Sequence, residues 1–281
     1  MGKGAQGPKK VKVGKEERLE ALRAAGTVTV SNSQLYTYFC NLHHVGMAAW
    51  VLYVVLFGPR PYLLMTVGMF LYSDMYSALL HSVLDDKKAL NIPGIAPVAK
   101  GFQEHHDFPQ ETTSGKGLLV LCSDTVRIQW IVMCCSLAAG KRDETTWALI
   151  LCKQLCCAYG TQFGHYYAHN RHLCVGMLKP LAWLQDAHIL LPPAHHWNHH
   201  KAPYNKNFGI VSGLSNPALN PILHPDHYQF YVILALWCFF TIFDVAIIEQ
   251  FVPPVDTAPA SLFSSSLFAS MSTMVNNTIE L

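Results

Sequence analysis

Apolar residues fall in long blocks along this chain, not in the alternating pattern of a half-buried strand. The first two blocks cover about 44–58 (HVGMAAWVLYVVLFG) and about 61–80 (PYLLMTVGMFLYSDMYSALL), linked by the tight turn GPRP. A second pair follows at about 117–139 and 146–164, joined by GKRDE. A helix that crosses ~30 Å of hydrocarbon needs about 20 apolar residues. The pattern therefore predicts an all-α, multi-pass membrane protein with two transmembrane helical hairpins. The first arm reaches spanning length when it is extended back to Tyr36. A last block, 228–252, either spans or lies along the interface. The blocks carry Asp124, Arg127, Lys153 and Gln154, and ionisable groups at membrane depth face protein or water.

The ends read differently. Residues 1–30 are basic and Gly-rich, as expected of a flexible tail. They hold no apolar stretch before a small-residue cleavage site, and three glutamates depart from a transit peptide. Residues 31–252 form the expected membrane domain. Residues 253–281 are rich in Ser, Thr, Ala and Pro and read as a second flexible tail.

Composition supports this division. Hydrophobic residues make up 51% of the chain and charged residues 14%, against about 25% charged in soluble domains. A net charge of +2 does not supply the basic surface that nucleic-acid binding needs. The nine cysteines lie mostly inside apolar runs, with no repeated CxxC pair, and are expected to be reduced and buried. If both hairpins enter the bilayer from one side, residues 1–43, 81–116 and 165–227 share that side and hold fifteen of the twenty Lys and Arg. Lys and Arg collect on the cytosolic face, so these segments are expected there.

Fifteen histidines are the real excess. Most fall in the same segments, in four elements. In SDMYSALLHSVLDD, Asp74, His81 and Asp85 share one helix face. FQEHHDFP carries Glu104, His105 and His106. GHYYAHNRH carries His165 and His169, again four apart. LQDAHILLPPAHHWNHH carries Asp186, His188, His195, His196, His199 and His200. Single histidines at a membrane edge, such as His43, His44, His172, His224 and His227, read as interfacial polar residues. A run of HHxxHH confers no packing or helix-propensity benefit, so metal binding is its expected purpose. Zinc takes about four ligands, fewer than these elements offer. About nine imidazoles and one carboxylate suit two ions, with iron, manganese and zinc all compatible with the donor types. The expected architecture is thus a histidine-rich di-metal cap on the cytosolic side.

These elements, in their order and spacing over about 66–225, resemble the Kua-type lipid desaturase family. That family includes plasmanylethanolamine desaturases and plastid palmitate desaturases acting on phosphatidylglycerol. The stretch LQDAHILLP with a full HHxxHH resembles the first branch; FQEHHDFP and HHKAPYNKNFGIVSG resemble the second. In the second branch the positions of His188 and His195 are not histidine, and Ser82 stands where a tryptophan often follows the first histidine. The resemblance implies a di-iron centre that uses O2 and external electrons to introduce a double bond into an alkyl or acyl chain of a bilayer phospholipid. Vinyl-ether formation of the plasmanylethanolamine type is the favoured reading. A plastid-type acyl desaturase and a di-iron fatty-acyl hydroxylase are the alternatives. The implied ligands are His81, Asp85, His105, His106, His165, His169, His196, His199 and His200, with His188 and His195 in reserve. Asp74, Glu104 and Asp186 are the implied acceptors for imidazole N–H groups. No haem or iron–sulfur motif is present, so a separate donor, a cytochrome b-type protein or a ferredoxin, is implied. The endoplasmic reticulum is the expected compartment, with a chloroplast membrane as the alternative.

Overall fold

The computed structural model describes residues 34–57, 63–109, 112–113, 117–201, 203–223 and 227–252. The two expected tails and the GPRP turn lie outside them. Among the described residues the fold is entirely helical.

Helix α1 (Gln34–Leu56) and helix α2 (Leu63–Asp85) are the arms of the first apolar pair. A short 3₁₀ turn, Lys87–Asn91, follows, capped by the Asp86 carboxylate, which accepts from the Lys88 N–H at 2.9 Å. Helix α3 (Ala96–Asp107) has Pro97 in its first turn, where a missing N–H costs nothing. The first arm of the second pair is broken at Asp124 into α4 (Leu118–Ser123) and α5 (Val126–Ala139). Its second arm is α6 (Glu144–Lys153), a π-helical stretch Gln154–Gly160 and α7 (Thr161–His169). The Asp143 side chain starts α6 by accepting from the Thr146 N–H at 2.8 Å. Short helices α8 (Lys179–Asp186), α9 (Pro193–His199) and α10 (Asn216–Leu219) cross the histidine-rich end, and α11 (His227–Ile248) returns through the bundle.

Two stretches, Gln34–Leu56 and Gln229–Ile248, are long and apolar enough to cross a membrane. Both expose most of their apolar side chains, including Leu52, Val55, Tyr231 and Phe239, as a lipid-facing helix would. Helix α2 behaves differently. Its last turns bury Ser73, Asp74, Ser77 and His81 together with Ala78, Leu79 and Val83, making it the central post of the fold. One core cluster joins α2 to α3 and α11 through Val83, Leu84, Ala99, Phe208 and Phe230. A second joins Met65 and Met69 to Leu149, Ile150 and Val245. Helix α1 is held to the second pair by polar contacts: His43 Nε2 to Gln129 Oε1 at 2.9 Å, and His44 to the Tyr159 and Ser123 hydroxyls at 2.8 and 3.0 Å. Those two histidines, read from sequence as interfacial, are inter-helix ties.

The ionisable groups inside the apolar blocks are accommodated as their cost demands. Lys153 is 1% exposed, and its ammonium reaches Asp244 Oδ1 at 2.6 Å while the Tyr72 hydroxyl donates to Asp244 Oδ2 at 2.6 Å. Arg127 lies over the Tyr36 ring. Of the cysteines, Cys134 and Cys238 are exposed, contrary to the expectation of burial. They sit on outward helix faces that an apolar surroundings would cover.

Candidate metal centre

Four helices deliver histidines to one end of the bundle. Helix α2 presents His81 and Asp85 one turn apart, α3 ends on His105 and His106, α7 carries His165 and His169, and α9 carries His196 and His199 with His200 just past its end. Neighbouring residues on a helix point about 100° apart. The adjacent pairs His105/His106 and His199/His200 accordingly split between two groups. One group is His105, His165, His169, His196 and His200; the other is His81, Asp85, His106 and His199. In each, one ligand atom per residue lies within 4.8 Å of all the others.

The Nε2 atoms point inward. In the first group His105 Nε2 is 2.9 Å from His165 Nε2 and 3.1 Å from His169 Nε2. His196 Nε2 is 2.7 Å from His169 Nε2 and 3.0 Å from His200 Nε2. In the second, His199 Nε2 is 3.1 Å from His81 Nε2 and 3.2 Å from His106 Nε2. Asp85 sets Oδ1 3.1 Å from His106 Nε2 and Oδ2 3.2 Å from His199 Nε2. For a metal–ligand bond of about 2.1 Å, donors at right angles lie about 3.0 Å apart and tetrahedral donors about 3.4 Å. The spacings, including 3.4 Å between His81 Nε2 and Asp85 Oδ2, fall in the range that donors sharing one ion show.

One tautomer is decided by its neighbour. His199 Nδ1 lies 2.9 Å from the Lys206 carbonyl oxygen, which only accepts, so Nδ1 carries the proton. In the neutral ring Nε2 is then a bare lone pair, and it faces an Asp85 oxygen and two further imidazole nitrogens. A single proton bridges two of those atoms; a metal cation satisfies all four. Burial pushes the His105 and His196 imidazoles well below their ordinary pKa, His200 down to about 2 and His169 down to about 4, with the neighbouring histidines adding to the effect. The rings are thus held neutral, the state in which imidazole binds metal. The donor set is nitrogen and carboxylate without thiolate, compatible with iron.

The supporting residues differ from those expected. Asp74 does not meet an imidazole. It is fully buried and accepts from the backbone N–H groups of Val211, Ser212, Gly213 and Ser215 at 3.2, 2.8, 2.9 and 2.8 Å, and from the Ser215 hydroxyl. It therefore pins the loop 209–215 to α2. That loop lies against α7 so closely that a Cβ on Gly164 would stand 2.6 Å from the Val211 carbonyl oxygen. Glu104 pairs with Lys100 at 3.5 Å, and Asp186 pairs with Arg171 at 2.8 Å on the surface. The groups beside Nδ1 atoms are instead the Thr112 and Thr113 hydroxyls at His105 and the Lys206 carbonyl at His199. Sequence offered no signal for a backbone carbonyl, and threonines seven and eight residues beyond His105 resemble any loop.

His188 and His195 belong to neither group. Their rings pack on each other at 4.9 Å. His195 sits one turn before His199 on α9, and its Nδ1 is buried beside Gly213, so the loop that Asp74 holds covers it. His188 adopts a left-handed backbone, φ 55°, in the turn after α8, and is exposed.

A cavity of about 210 Å³ runs from the metal groups into the bundle. His81, His105 and His165 of the metal groups line it together with Tyr76, Val132 and Lys153. The π-helical stretch contributes Gln154, Cys157 and Ala158 to the lining.

Comparison with known proteins agrees with this geometry. The chain is 29% identical over 152 residues to fatty acid desaturase 4, chloroplastic, of Arabidopsis thaliana, covering 54% of this chain and 45% of that one. It is 27% and 28% identical over the same length to fatty acid desaturase 4-like 1 and 4-like 2, both chloroplastic and from the same plant, covering 50% and 52% of those chains. The chain thus spans about half the length of the curated relatives it matches. No solved structure matches it significantly. A family model described as a lipid desaturase domain matches residues 70–240, a segment that takes in all nine clustered ligand candidates and the lining of the cavity: this chain belongs to the lipid desaturase family.

Proposed function

We propose that the protein is a membrane-bound lipid desaturase that holds two irons in the two groups and draws a phospholipid chain into the cavity beside them. The observation that carries this reading is the convergence of five imidazoles in one group, and of three imidazoles and the Asp85 carboxylate in the other, with one ligand atom per residue within 4.8 Å of all the others in its group. Bound iron would supply oxygen activation, which no side chain of the protein offers for an unactivated C–H bond. The overall balance is –CH2–CH2– plus O2, two electrons and two protons giving –CH=CH– and two waters.

The residues of the chain do the rest. Nine buried or half-buried side chains hold the metals. The apolar walls take the hydrocarbon and exclude water, and the lining at His81, His105 and His165 sets which carbons lie nearest the metals. Helices Gln34–Leu56 and Gln229–Ile248 would anchor the protein in the bilayer from which the substrate enters.

The relatives are named as fatty acid desaturases, which supports acyl-chain desaturation over the expected vinyl-ether formation. The features that favoured the vinyl-ether branch included His188 and His195, and these stand outside both groups. The relatives' names are chloroplastic, which favours a plastid membrane over the endoplasmic reticulum. The test is purification with iron analysis and lipid mass spectrometry. The expected result is about two irons per chain, one for each ligand group, and a lipid product two mass units lighter than its substrate. Stoichiometric zinc without iron would overturn the metal assignment, and a gain of sixteen mass units would make the enzyme a hydroxylase.

A further inference from the structure

Both ligand groups touch the surface through an aromatic ring. Trp197 is 39% exposed, and its indole lies 5.5 Å from the His169 ring and 5.7 Å from the His200 ring, both in the five-histidine group. Tyr204 is 37% exposed and meets the His106 ring of the other group edge-on at 4.7 Å. The two aromatics are seven residues apart in the segment WNHHKAPYNK, which also carries the exposed Lys201 and Lys206. Asp186 is the last acidic residue before this segment, and none follows until Asp226. Lys201 and Lys206 are thus the two formally charged residues of 187–225.

Resting on the function proposed above, we infer that this face, centred on Trp197 and Tyr204, is where a one-electron carrier protein with an acidic surface docks and delivers electrons. The reaction consumes two electrons per double bond, and the sequence shows no haem or iron–sulfur motif to gather them. Electron transfer falls off steeply with distance, so a donor needs a short path to the metals. Exposed rings in van der Waals contact with ligand imidazoles supply that path. The exposed Lys201 and Lys206 beside them supply steering, because complementary charge raises encounter rates and fixes orientation. In each encounter the reduced carrier loses one electron and becomes oxidised, and one metal ion of the centre is reduced by one unit. Two encounters supply one turnover.

The test uses the full-length, iron-loaded chain in lipid nanodiscs. Anaerobic reduction is followed by stopped-flow absorbance with three reductants: an acidic [2Fe–2S] ferredoxin, an acidic cytochrome b-type protein, and dithionite. In Trp197→Leu, reduction by whichever protein donor serves the wild type should slow by roughly an order of magnitude or more, while iron content and dithionite reduction stay as in the wild type. In Lys201→Glu with Lys206→Glu, the second-order rate should fall about tenfold at low salt and lose most of its salt dependence.

Unchanged protein-donor rates in both variants would overturn the inference. So would equal slowing with dithionite or loss of iron, either of which marks a structural role. A wild type reduced by dithionite but by neither protein would also overturn it. So would lysine variants that lose binding to anionic phosphatidylglycerol vesicles and keep donor rates, because the face is then a membrane contact. A wild type that holds no iron strikes instead at the proposed function, and is read separately from the variants.

Discussion

Asp85 Oδ1 lies 3.1 Å from His106 Nε2, joining the only carboxylate of the nine clustered residues to a histidine from a different helix. The same carboxylate places its other oxygen 3.2 Å from His199 Nε2. It thus brings one carboxylate to a group that otherwise offers three imidazoles. Replacing it with alanine removes the only anionic ligand from that group and leaves the five-histidine group intact. Asp85→Ala is expected to lower iron content from about two per chain to about one and to abolish turnover. Metal analysis of the folded variant checks this, and full iron occupancy would remove Asp85 from the ligand set.

The Asp74 carboxylate has a structural task. It collects four backbone N–H groups and one hydroxyl from the loop 209–215, which backs α7 at Gly164 and follows the Lys206 carbonyl that orients His199. Asp74→Asn puts an NH2 group against donors that need an acceptor. A loss of about 3 kcal/mol or more is expected, together with reduced iron in both groups. Thermal unfolding and metal content report the two effects; an unchanged melting temperature would contradict the role.

Stability should fall in acid in a defined direction. His169 and His200 are neutral in the folded chain, with pKa held down to about 4 and about 2, mainly by burial. Unfolding restores the ordinary 6.5. Between 6.5 and about 4 the unfolded chain binds protons that the folded chain refuses, so stability drops as pH falls through that window and is regained above it. Thermal melts of metal-free protein from pH 7.5 to pH 4.5 should show this decline. Loading with iron should move it to lower pH, since bound metal competes with the same protons. A flat profile would mean that these imidazoles are not buried neutral.

The buried pair Lys153–Asp244, 2.6 Å apart, separates structure from chemistry at the cavity wall that Lys153 lines. Lys153→Met leaves Asp244 buried and unpaired and is expected to cost about 3–5 kcal/mol. The double variant Lys153→Met with Asp244→Leu should recover most of that loss. If the double variant is as unstable as the single one in detergent melts, the pair is more than an internal charge balance.

Much of this protein was legible in the residues alone. Long apolar blocks announced helices, and α1, α2, α6 and α11 form where those blocks lie. The HxxxD, HxxxH and HHxxHH spacings announced clustered imidazoles because helical geometry brings residues four apart onto one face, whatever packs around them. Partition of the imidazoles was beyond the sequence. His105 and His106 are neighbours in the chain, yet a turn of about 100° between them sends each to a different group. His195 and His196 are neighbours too, and one packs on His188 beside the loop that Asp74 holds while the other enters the five-histidine group. Asp74 itself carried the right spacing for an imidazole partner and spends its charge on a backbone loop 137 residues away. Spacing along a helix is local and can be read from the chain; which atoms meet across the bundle depends on how α2, α3, α7 and α9 pack, and only the tertiary structure decides that.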